Sequence, residues 1–402
     1  MLERKKKKLI YLDYAAATPL GPRVALVMKE SFSKNYANAS SIYELGMQAK
    51  FEIEGARVKI AKMLSAREGE IVFTAGGTES VNLALFGVIR QAMALGIKKP
   101  HLIVSAIEHH AVLESAKALE AEGIVLTILK TNNFGFVDPK EVAKNIQKNT
   151  VLVSIMYANN EVGTIEPISE ISKVIRKANA NRKNKILFHT DACQAAGALD
   201  LNVNRLGVDL MTLNASKIYG PKQIGLLYVR AGVTLKPLVY GGGQERGLRS
   251  GTENTAGISG FAKALEISEK LKAEENNRLK ILQGYLIKEI KKRIPKAILN
   301  GPEHSRLPNN INFSFPGIDG EALLLYLDAQ WFAVSTGSAC ASTSLDPSHV
   351  LIALGLSKSN AKASVRITLG RATKKKDLQK LLSVLPGLVK ELRRVEWVDE
   401  KK

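Results

Sequence analysis

Two polar segments of the sequence carry residue types that could activate a bound aromatic ring. Lys217 follows the apolar run Leu210–Leu213, and a partly buried lysine has a lowered pKa and can form a Schiff base with a carbonyl group. Asp191 and Gln194 follow the run Ile186–His189. A buried carboxylate needs a partner, and a protonated pyridine nitrogen would supply one, while Gln194 could bond a ring oxygen. Asp191 could equally cap a helix, and one lysine in so basic a chain is weak evidence by itself.

A glycine-containing segment, Ala75–Ser80, could bind a phosphate group. It follows the apolar run Ile71–Thr74 and contains Gly77 and Thr78 just before a helical pattern. The first N–H groups of a helix lack partners within the helix and attract anions. The segment has no Walker lysine, so it is not an ATP-binding P-loop, but a plain tight turn would have the same composition.

Two further strand ends carry candidate ligand-binding side chains. His109 follows Leu102–Ala106 and could stack on a planar ring, although a capping or surface histidine is the commoner case. Asn160 follows Val151–Met156 and could orient a polar group of a ligand, or it could take part in an Asx turn.

The second of the two cysteines, Cys340, lies among small polar residues, which indicates an exposed loop and a thiol that could react as a thiolate. The alternative is an incidental surface thiol. The first cysteine, Cys193, is better explained as a small buried apolar residue. Farther on, Arg366 could form a bidentate pair with a carboxylate, or a surface salt bridge.

The elements that must position these residues alternate between short apolar runs and helix-like segments from about residue 70 to 230. Such alternation predicts an α/β fold with a mainly parallel sheet, whose ligands bind beyond the carboxyl ends of the strands. The predicted strands are Ile71–Thr74, Leu102–Ala106, Val125–Leu129, Val151–Met156, Ile186–His189, Leu210–Leu213 and Leu226–Val229. A long helix over Gly260–Ile294 then leads to a smaller α+β region with strands at Asn310–Phe315 and Val365–Leu369 and a helix at Gly320–Leu327.

Composition excludes several classes of protein. The 402 residues are 45% hydrophobic, which suits a large domain plus a smaller one, and no apolar run is long enough to span a membrane. Two cysteines exclude a disulfide framework and a cysteine-rich metal site, and they suit the reducing cytoplasm. The net charge of +20 would suit a polyanion such as tRNA. No basic motif with interleaved aromatic residues accompanies it, so we expect a lysine-rich surface without direct nucleic-acid binding.

Taken together in their order, the segments resemble the NifS/IscS-type cysteine desulfurases, class V of the fold-type I pyridoxal-phosphate enzymes. The resemblance runs from residue 10 to about residue 385. Its segments are Tyr11–Pro19, Phe73–Ser80, Glu108-His109, Asn159–Gly163, His189–Gln194, the segment around Lys217, Gly241–Asn254, Thr336–Cys340, Pro347–Leu351 and Arg366–Arg371. It implies a seven-stranded large domain over residues 12–260, and a small domain over residues 261–402, joined by residues 1–11, that carries the cysteine loop.

The resemblance also implies a role for each site residue. Lys217 would hold pyridoxal 5'-phosphate and move the Cα proton of the substrate, and Cys340 would attack the substrate sulfur. The remaining cofactor contacts would come from His109 on the ring, Asp191 on the ring nitrogen, Gln194 on the phenolic oxygen, and Gly77, Thr78, Asn214 and Ser216 on the phosphate. Thr252 of a partner subunit would reach the same phosphate, which implies a homodimer. Asn160 and Arg366 would bind the substrate carboxylate, and Asn160 would also contact the cofactor.

The function implied is removal of sulfur from L-cysteine, with L-alanine as product and a persulfide on Cys340 as sulfur carrier. The acceptor would be an iron–sulfur scaffold or a tRNA-thiolation protein. Two alternatives stay open: an enzyme acting on selenocysteine or another amino acid, and a scaffold without catalysis. Four departures from the family pattern bear on them: Asn214 and Ser216 replace a serine and a histidine beside Lys217, Gln223 replaces a glycine, and Asn38–Tyr43 differs from Asn-Pro-Ser-Ser-x-His. We expect cofactor binding to survive them, weakened by about 1–2 kcal/mol.

Overall fold

The computed structural model describes residues 8–337 and 346–399, with side chains up to residue 394. The strands in these ranges are β1 (Ile10–Tyr11), β2 (Ile71–Thr74), β3 (His101–Ser105), β4 (Val125–Leu129), β5 (Thr150–Ser154), β6 (Leu187–Asp191), β7 (Leu210–Asn214), β8 (Gly225–Val229), β9 (Ile298–Leu299), β10 (Asn310–Ser314), β11 (Phe332–Ala333) and β12 (Ser364–Thr368). The α-helices are α1 (Pro22–Lys34), α2 (Glu44–Leu64), α3 (Gly77–Ala94), α4 (His110–Ala121), α5 (Pro139–Asn145), α6 (Ile168–Ala178), α7 (Val203–Leu206), α8 (Thr255–Arg293), α9 (Gly320–Ala329), α10 (His349–Ala353), α11 (Lys358–Lys362) and α12 (Lys375–Asp399).

The largest sheet has seven strands in the order β2-β8-β7-β6-β5-β3-β4. Strands β4, β3, β5, β6 and β7 run parallel, β8 is antiparallel to β7, and β2 is antiparallel to β8. Parallel neighbours need crossover connections, and helices α4, α5 and α6 lie between these strands in the chain. The prediction of a mainly parallel, seven-stranded α/β sheet is confirmed, and every predicted strand of this region is present.

Both faces of this sheet are covered by apolar side chains. Along β2, Ile71 and Phe73 belong to one buried cluster, whereas Val72 belongs to the cluster on the opposite face. This alternation is the period of a strand, and each fully buried side chain of this size stabilises the fold by about 1.5–3 kcal/mol. Because both faces are buried, ligands can reach the sheet only at its ends.

Helix α8 is 39 residues long and contributes to two cores. Its first half packs Ile258, Phe261 and Leu265 into the core of the large sheet. Leu282 and Leu286 in its second half belong to the core of the smaller region. The helix was expected to begin at Gly260, but it begins at Thr255 because the Asn254 side chain accepts a hydrogen bond from the Gly257 N–H and caps it.

The smaller region contains the three-stranded antiparallel sheet β12-β10-β9, covered by α9 and α12. The predicted strands at Asn310 and Val365 and the helix at Gly320 are present there. Strand β1 pairs with β11 in parallel, so Ile10 and Tyr11 lie against this region. The division into residues 12–260 and 261–402 stays a prediction, and α8 runs across that point without a break.

In the described part of the chain, none of the helices has both the length and the apolar character that a bilayer-spanning segment requires.

Candidate active site

A cavity of about 230 Å³ lies at the carboxyl ends of the central strands and brings together most of the predicted site residues. From the predicted set, the cavity is lined by Gly77, Thr78, His109, Asn160, Asp191, Gln194, Asn214, Lys217 and Arg366. Ser216 and Thr252 do not line it. Cys340 lies outside the described residues.

The floor of the cavity is the N-terminal turn of α3, which begins at Gly77. Gly76 caps this helix with φ of 152°, a conformation that side chains rarely adopt. A Cβ atom on Gly77 would lie 3.0 Å from Sγ of Cys193 and 3.5 Å from Nδ2 of Asn214. Glycine at position 77 therefore allows the start of α3 to lie close to Cys193 and Asn214, and the first N–H groups of α3 have no partners within the helix.

Asp191 ends β6, and its side chain lines the cavity although the residue is only 8% exposed. Its Oδ1 accepts a hydrogen bond from the Cys193 N–H at 2.9 Å. Burial, reinforced by the nearby Asp191 carboxylate, raises the pKa of the Cys193 thiol well above its usual value. Cys193 is therefore a neutral, buried thiol, in agreement with its interpretation as a small apolar residue.

His109 has two roles that the sequence analysis treated as alternatives. It caps α4, because its Nδ1 accepts a hydrogen bond from the Ala111 N–H at 3.1 Å, and its ring also lines the cavity. Burial lowers the pKa of His109, so the ring is held neutral. With Nδ1 acting as the acceptor, the proton of the neutral ring resides on Nε2.

Lys217 ends a short 3₁₀ helix, Ala215–Lys217, directly after β7. Its Nζ donates hydrogen bonds to the carbonyl oxygens of Ala15 at 3.0 Å and Ala16 at 2.6 Å. Gln194 Nε2 also donates to the Ala15 carbonyl, at 2.9 Å. Ala15 and Ala16 line the cavity, and sequence reasoning missed them because a backbone acceptor leaves no trace in residue type.

Arg366 is buried, with 1% exposure, and the interpretation as a surface salt bridge is wrong. Its Nη2 bonds Oδ1 of Asp13 at 2.8 Å, and its Nη1 donates to the Asn160 carbonyl at 3.2 Å. Its Nε has no hydrogen-bond partner among the described residues. A buried donor without a partner is costly, so the guanidinium is suited to an anionic ligand in the cavity. Asp13 was not predicted, although it lies in the matching segment Tyr11–Pro19.

Of the two neighbouring asparagines, Asn159 forms the Asx turn and Asn160 faces the cavity. Asn159 Oδ1 accepts from the N–H groups of Glu161 and Val162, which is the Asx turn. The Asn159 amide also donates to the Ile107 carbonyl at 2.9 Å. Asn160 is the one that lines the cavity.

Comparison with known proteins gives the same family by three routes. Residues 10–381 match the model of the aminotransferase class-V family. Cysteine desulfurase IscS of Dictyoglomus turgidum is 48% identical over 401 residues, which cover 98% of this chain and all of that protein. The chain belongs to the NifS/IscS-type cysteine desulfurases. A solved NifS-like protein has a TM-score of 0.88 and 34% identity, covering 96% of this chain and 100% of that one. A solved structure of SspA in complex with cysteine has a TM-score of 0.76 and 35% identity, covering 89% and 98%.

The family's usual serine and histidine before the lysine are replaced here by residues that bond to each other. The Ser216 N–H and hydroxyl both donate to Oδ1 of Asn214, each at 3.1 Å. Since Oδ1 is occupied in this way, Nδ2 of Asn214 is the group left toward the cavity and toward Gly77. The two departures therefore act as one unit, and Asn214 offers an N–H donor where the family has a hydroxyl.

Pyridoxal phosphate, the cofactor expected for this family, fits the chemistry of these residues. The helix N-terminus and the Asn214 amide suit a phosphate, and the buried Asp191 suits a protonated ring nitrogen. A Cβ on Gly77 would crowd Cys193, so glycine lets the start of α3 lie close to the Asn214 amide, and the two together would hold the phosphate. His109 offers a neutral ring on the wall of the cavity, and Lys217 offers an amine at the end of β7.

Proposed function

We propose that this protein removes sulfur from L-cysteine, releases L-alanine, and carries the sulfur as a persulfide on Cys340. One observation supports the proposal most strongly: Lys217, Asp191, His109 and the buried Arg366 converge on a single cavity. An amino acid substrate in such a site requires a lysine, residues that contact the cofactor ring, and a cation that pairs with the substrate carboxylate.

Pyridoxal phosphate is the proposed cofactor. Lys217, Asp191, His109 and Gln194 would hold the ring, and Gly77, Thr78 and Asn214 would hold the phosphate. When bound, this group supplies an electron sink that stabilises negative charge at the substrate Cα. Ser216 would act through Asn214, since its hydroxyl donates to that side chain.

The side chains of the cavity would orient the substrate and move its protons. Arg366 and Asn160 would bind the carboxylate, with Asp13 holding the guanidinium in place. The Nζ of Lys217 would take the proton from Cα and return it to carbon later in the reaction. Burial lowers the pKa of His109 and keeps its ring neutral. His109 would therefore add no second positive charge beside the ring nitrogen that Asp191 would bind.

The sulfur step would use the Cys340 thiolate. A new S–S bond forms between Cys340 and the substrate sulfur while the bond from Cβ to sulfur breaks, and the electron pair stays with carbon. Protonation of that carbon then gives alanine. Cys340 lies outside the described residues, so this part of the proposal rests on its sequence context and on the family.

A homodimer is the proposed assembly. Thr252 is exposed and does not line the cavity of its own chain, as expected of a residue that serves another subunit. Large apolar side chains are exposed on α1 and α2, among them Leu26, Phe32 and Phe51 at 66%, 64% and 81%. A cleft of about 800 Å³ between α1, α2 and α8 adjoins this surface, and apolar surface of this kind marks association sites.

The proposed sulfur acceptor is an iron–sulfur scaffold or a tRNA-thiolation protein, and the proposed compartment is the cytoplasm. The IscS name of the relatives supports the first acceptor. A reactive thiol that must stay reduced between turnovers supports the compartment.

The test is detection of alanine and of a persulfide on Cys340 after addition of L-cysteine to protein loaded with pyridoxal phosphate. We expect both in the wild type and neither in Lys217→Ala. Absence of alanine from the wild type would refute the proposal. If the Cys340→Ser variant released as much alanine from selenocysteine as the wild type does, an enzyme of selenocysteine would be favoured instead, because selenium elimination would then proceed without the thiol.

A further inference from the structure

Glu161 is a buried acidic residue to which the proposed mechanism assigns no role. In the sequence it follows Asn160, which lines the cavity, and it is itself 2% exposed. Its Oε2 accepts a hydrogen bond from the Ser348 hydroxyl at 2.5 Å. A Cβ atom built on Gly337 would lie 3.4 Å from the same Oε2 and 3.8 Å from Cβ of Ser348. Oε2 of Glu161 therefore bonds Ser348, which follows segment 338–345, and lies close to Gly337, which precedes that segment.

The residues that follow segment 338–345 are held in place at the start of α10. Ser348 caps α10, since its hydroxyl oxygen accepts a hydrogen bond from the Leu351 N–H at 3.3 Å. The same hydroxyl donates its own hydrogen bond to Glu161. His349 Nε2 lies 2.9 Å from the carbonyl of Glu108, and its ring centroid is 4.7 Å from that of His110. The start of α10 is thus held against the turn that carries His109.

The residues that precede segment 338–345 are bonded to Arg366, the arginine proposed to bind the substrate carboxylate. Ser335 and Arg366 exchange two backbone hydrogen bonds, at 3.1 and 2.6 Å, and the Ser335 hydroxyl donates to the Gly337 carbonyl at 3.1 Å. The Glu161 carbonyl accepts from the amides of Asn310 and Asn312, each at 3.1 Å, which fixes Glu161 itself.

We propose that Glu161 is a positioning residue for sulfur transfer. Its Oε2 bonds Ser348 and lies close to Gly337, and the residue directly follows Asn160, which with Arg366 would bind the substrate carboxylate. Cys340 is three residues beyond Gly337 in the sequence, so a change in the position of Gly337 would bear on the step that uses the thiol. Glu161 acts through these neighbours and touches no reacting atom. The inference rests on the proposed function, since it assigns to Glu161 the step that follows removal of the Cα proton.

Two measurements on full-length protein loaded with pyridoxal phosphate separate this role from a general structural one. The first is exchange of the Cα hydrogen of L-alanine with deuterated water, which requires Lys217 but no thiol. The second is the single-turnover rate of persulfide formation on Cys340 from L-cysteine, followed by mass spectrometry. Loss of a hydrogen bond to a buried charged group predicts that Glu161→Ala and Ser348→Ala slow persulfide formation about ten- to a hundredfold. We expect deuterium exchange to stay at the wild-type rate.

Ser357→Ala is the matched control for Ser348→Ala. Ser357 caps the next helix, α11, by accepting from the Asn360 N–H at 3.2 Å, and its hydroxyl lies 3.0 Å from that of Ser359 instead of bonding Glu161. We expect this variant to keep both rates. Glu161→Gln retains an acceptor oxygen for Ser348 and should lose less than Glu161→Ala.

The outcomes divide cleanly. Loss of persulfide formation with exchange preserved supports the role of Glu161. Unchanged persulfide formation in Glu161→Ala and Ser348→Ala overturns it, and so does an equal fall of both rates or an equal loss in Glu161→Gln and Glu161→Ala. If the wild type forms no persulfide on Cys340, the proposed function itself is refuted. If the wild type forms the persulfide and the Glu161→Ala variant forms it equally fast, only the role of Glu161 is refuted.

Discussion

Substitution of Arg366 by lysine tests whether the unpaired Nε of the buried guanidinium binds the substrate carboxylate. Arg366 is 1% exposed, and two of its three nitrogens bond Asp13 and the Asn160 carbonyl. Lysine keeps a positive charge beside Asp13, so the buried acid retains a partner. It removes the planar fork that could present two N–H groups to a carboxylate.

The magnitude follows from the bond that is lost. A hydrogen bond to a charged group contributes about 1.5–3 kcal/mol, and about 1.4 kcal/mol corresponds to a tenfold change in an equilibrium constant. We therefore expect the Kd for L-cysteine to rise about ten- to a hundredfold. Cysteamine has the thiol and the amine but no carboxylate, so its Kd should stay unchanged. Both constants are measured by absorbance of the cofactor in a Cys340→Ser background, in which sulfur cannot be carried.

Arg230→Lys provides the control, because Arg230 also combines an ion pair, to Asp209 at 3.0 Å, with a hydrogen bond to a backbone carbonyl, that of Val208. It does not line the cavity, so neither Kd should change. A rise of the same size for cysteine and cysteamine in Arg366→Lys would refute the reasoning, since the loss would then have nothing to do with the carboxylate.

Three further predictions concern cofactor affinity and stability. Asn214→Ala should weaken binding of pyridoxal phosphate by about 1–2 kcal/mol but leave pyridoxal, which lacks the phosphate, unaffected in fluorescence titrations. Arg57→Met should lower the free energy of unfolding in urea by about 3–5 kcal/mol, because it leaves the buried Glu245 carboxylate without its cation, and Arg57→Met with Glu245→Met should recover part of it, since the Phe73 N–H then loses its acceptor. Burial raises the pKa of Glu108 to about 8, so below that pH the acid stays protonated in the folded chain, whereas in the unfolded chain it ionises above its ordinary pKa of 4.5. The stability that the protonated Glu108 contributes is fully present below pH 4.5 and is lost as the pH rises toward 8. Glutamine cannot ionise, so between pH 5 and pH 8 the free energy of unfolding in urea should fall by about 2–4 kcal/mol less in Glu108→Gln than in the wild type.

Each of these has a clear contrary result. Equal weakening of pyridoxal and pyridoxal phosphate by Asn214→Ala would show that the amide does not act on the phosphate. An Arg57 double variant no more stable than the single one would show that the unpaired Glu245 is not the cause of the loss. Parallel stability profiles for Glu108→Gln and the wild type would show that Glu108 is ionised in the folded chain.

The sequence alone determined the large sheet and the chemistry at its strand ends. Strands such as Ile71–Thr74 are short apolar runs bounded by polar residues, and this pattern depends only on neighbouring residues. Lys217 and Asp191 could be selected because the carboxyl ends of parallel strands meet at one edge. The ordered set of segments then gave the family, since many local patterns agreed in one order.

Helices α1 and α2 were not predicted, and the reason is physical. They expose Phe32, Met47 and Phe51, so apolar residues occur on more than one face and the helical period is blurred. Helix α12 was also missed; it continues through Pro386, a residue that normally ends a helix.

Only the tertiary structure decided which residues support the site from a distance. Asp13 bonds Arg366 across 353 residues of sequence, and the Ala15 and Ala16 carbonyls bond Lys217 across about 200. Glu161 meets Ser348 in the same way, 187 residues along the chain. Such contacts depend on the path of the whole chain, so no local pattern reports them. Residue types name the groups that could react, and the fold determines which groups hold them in place.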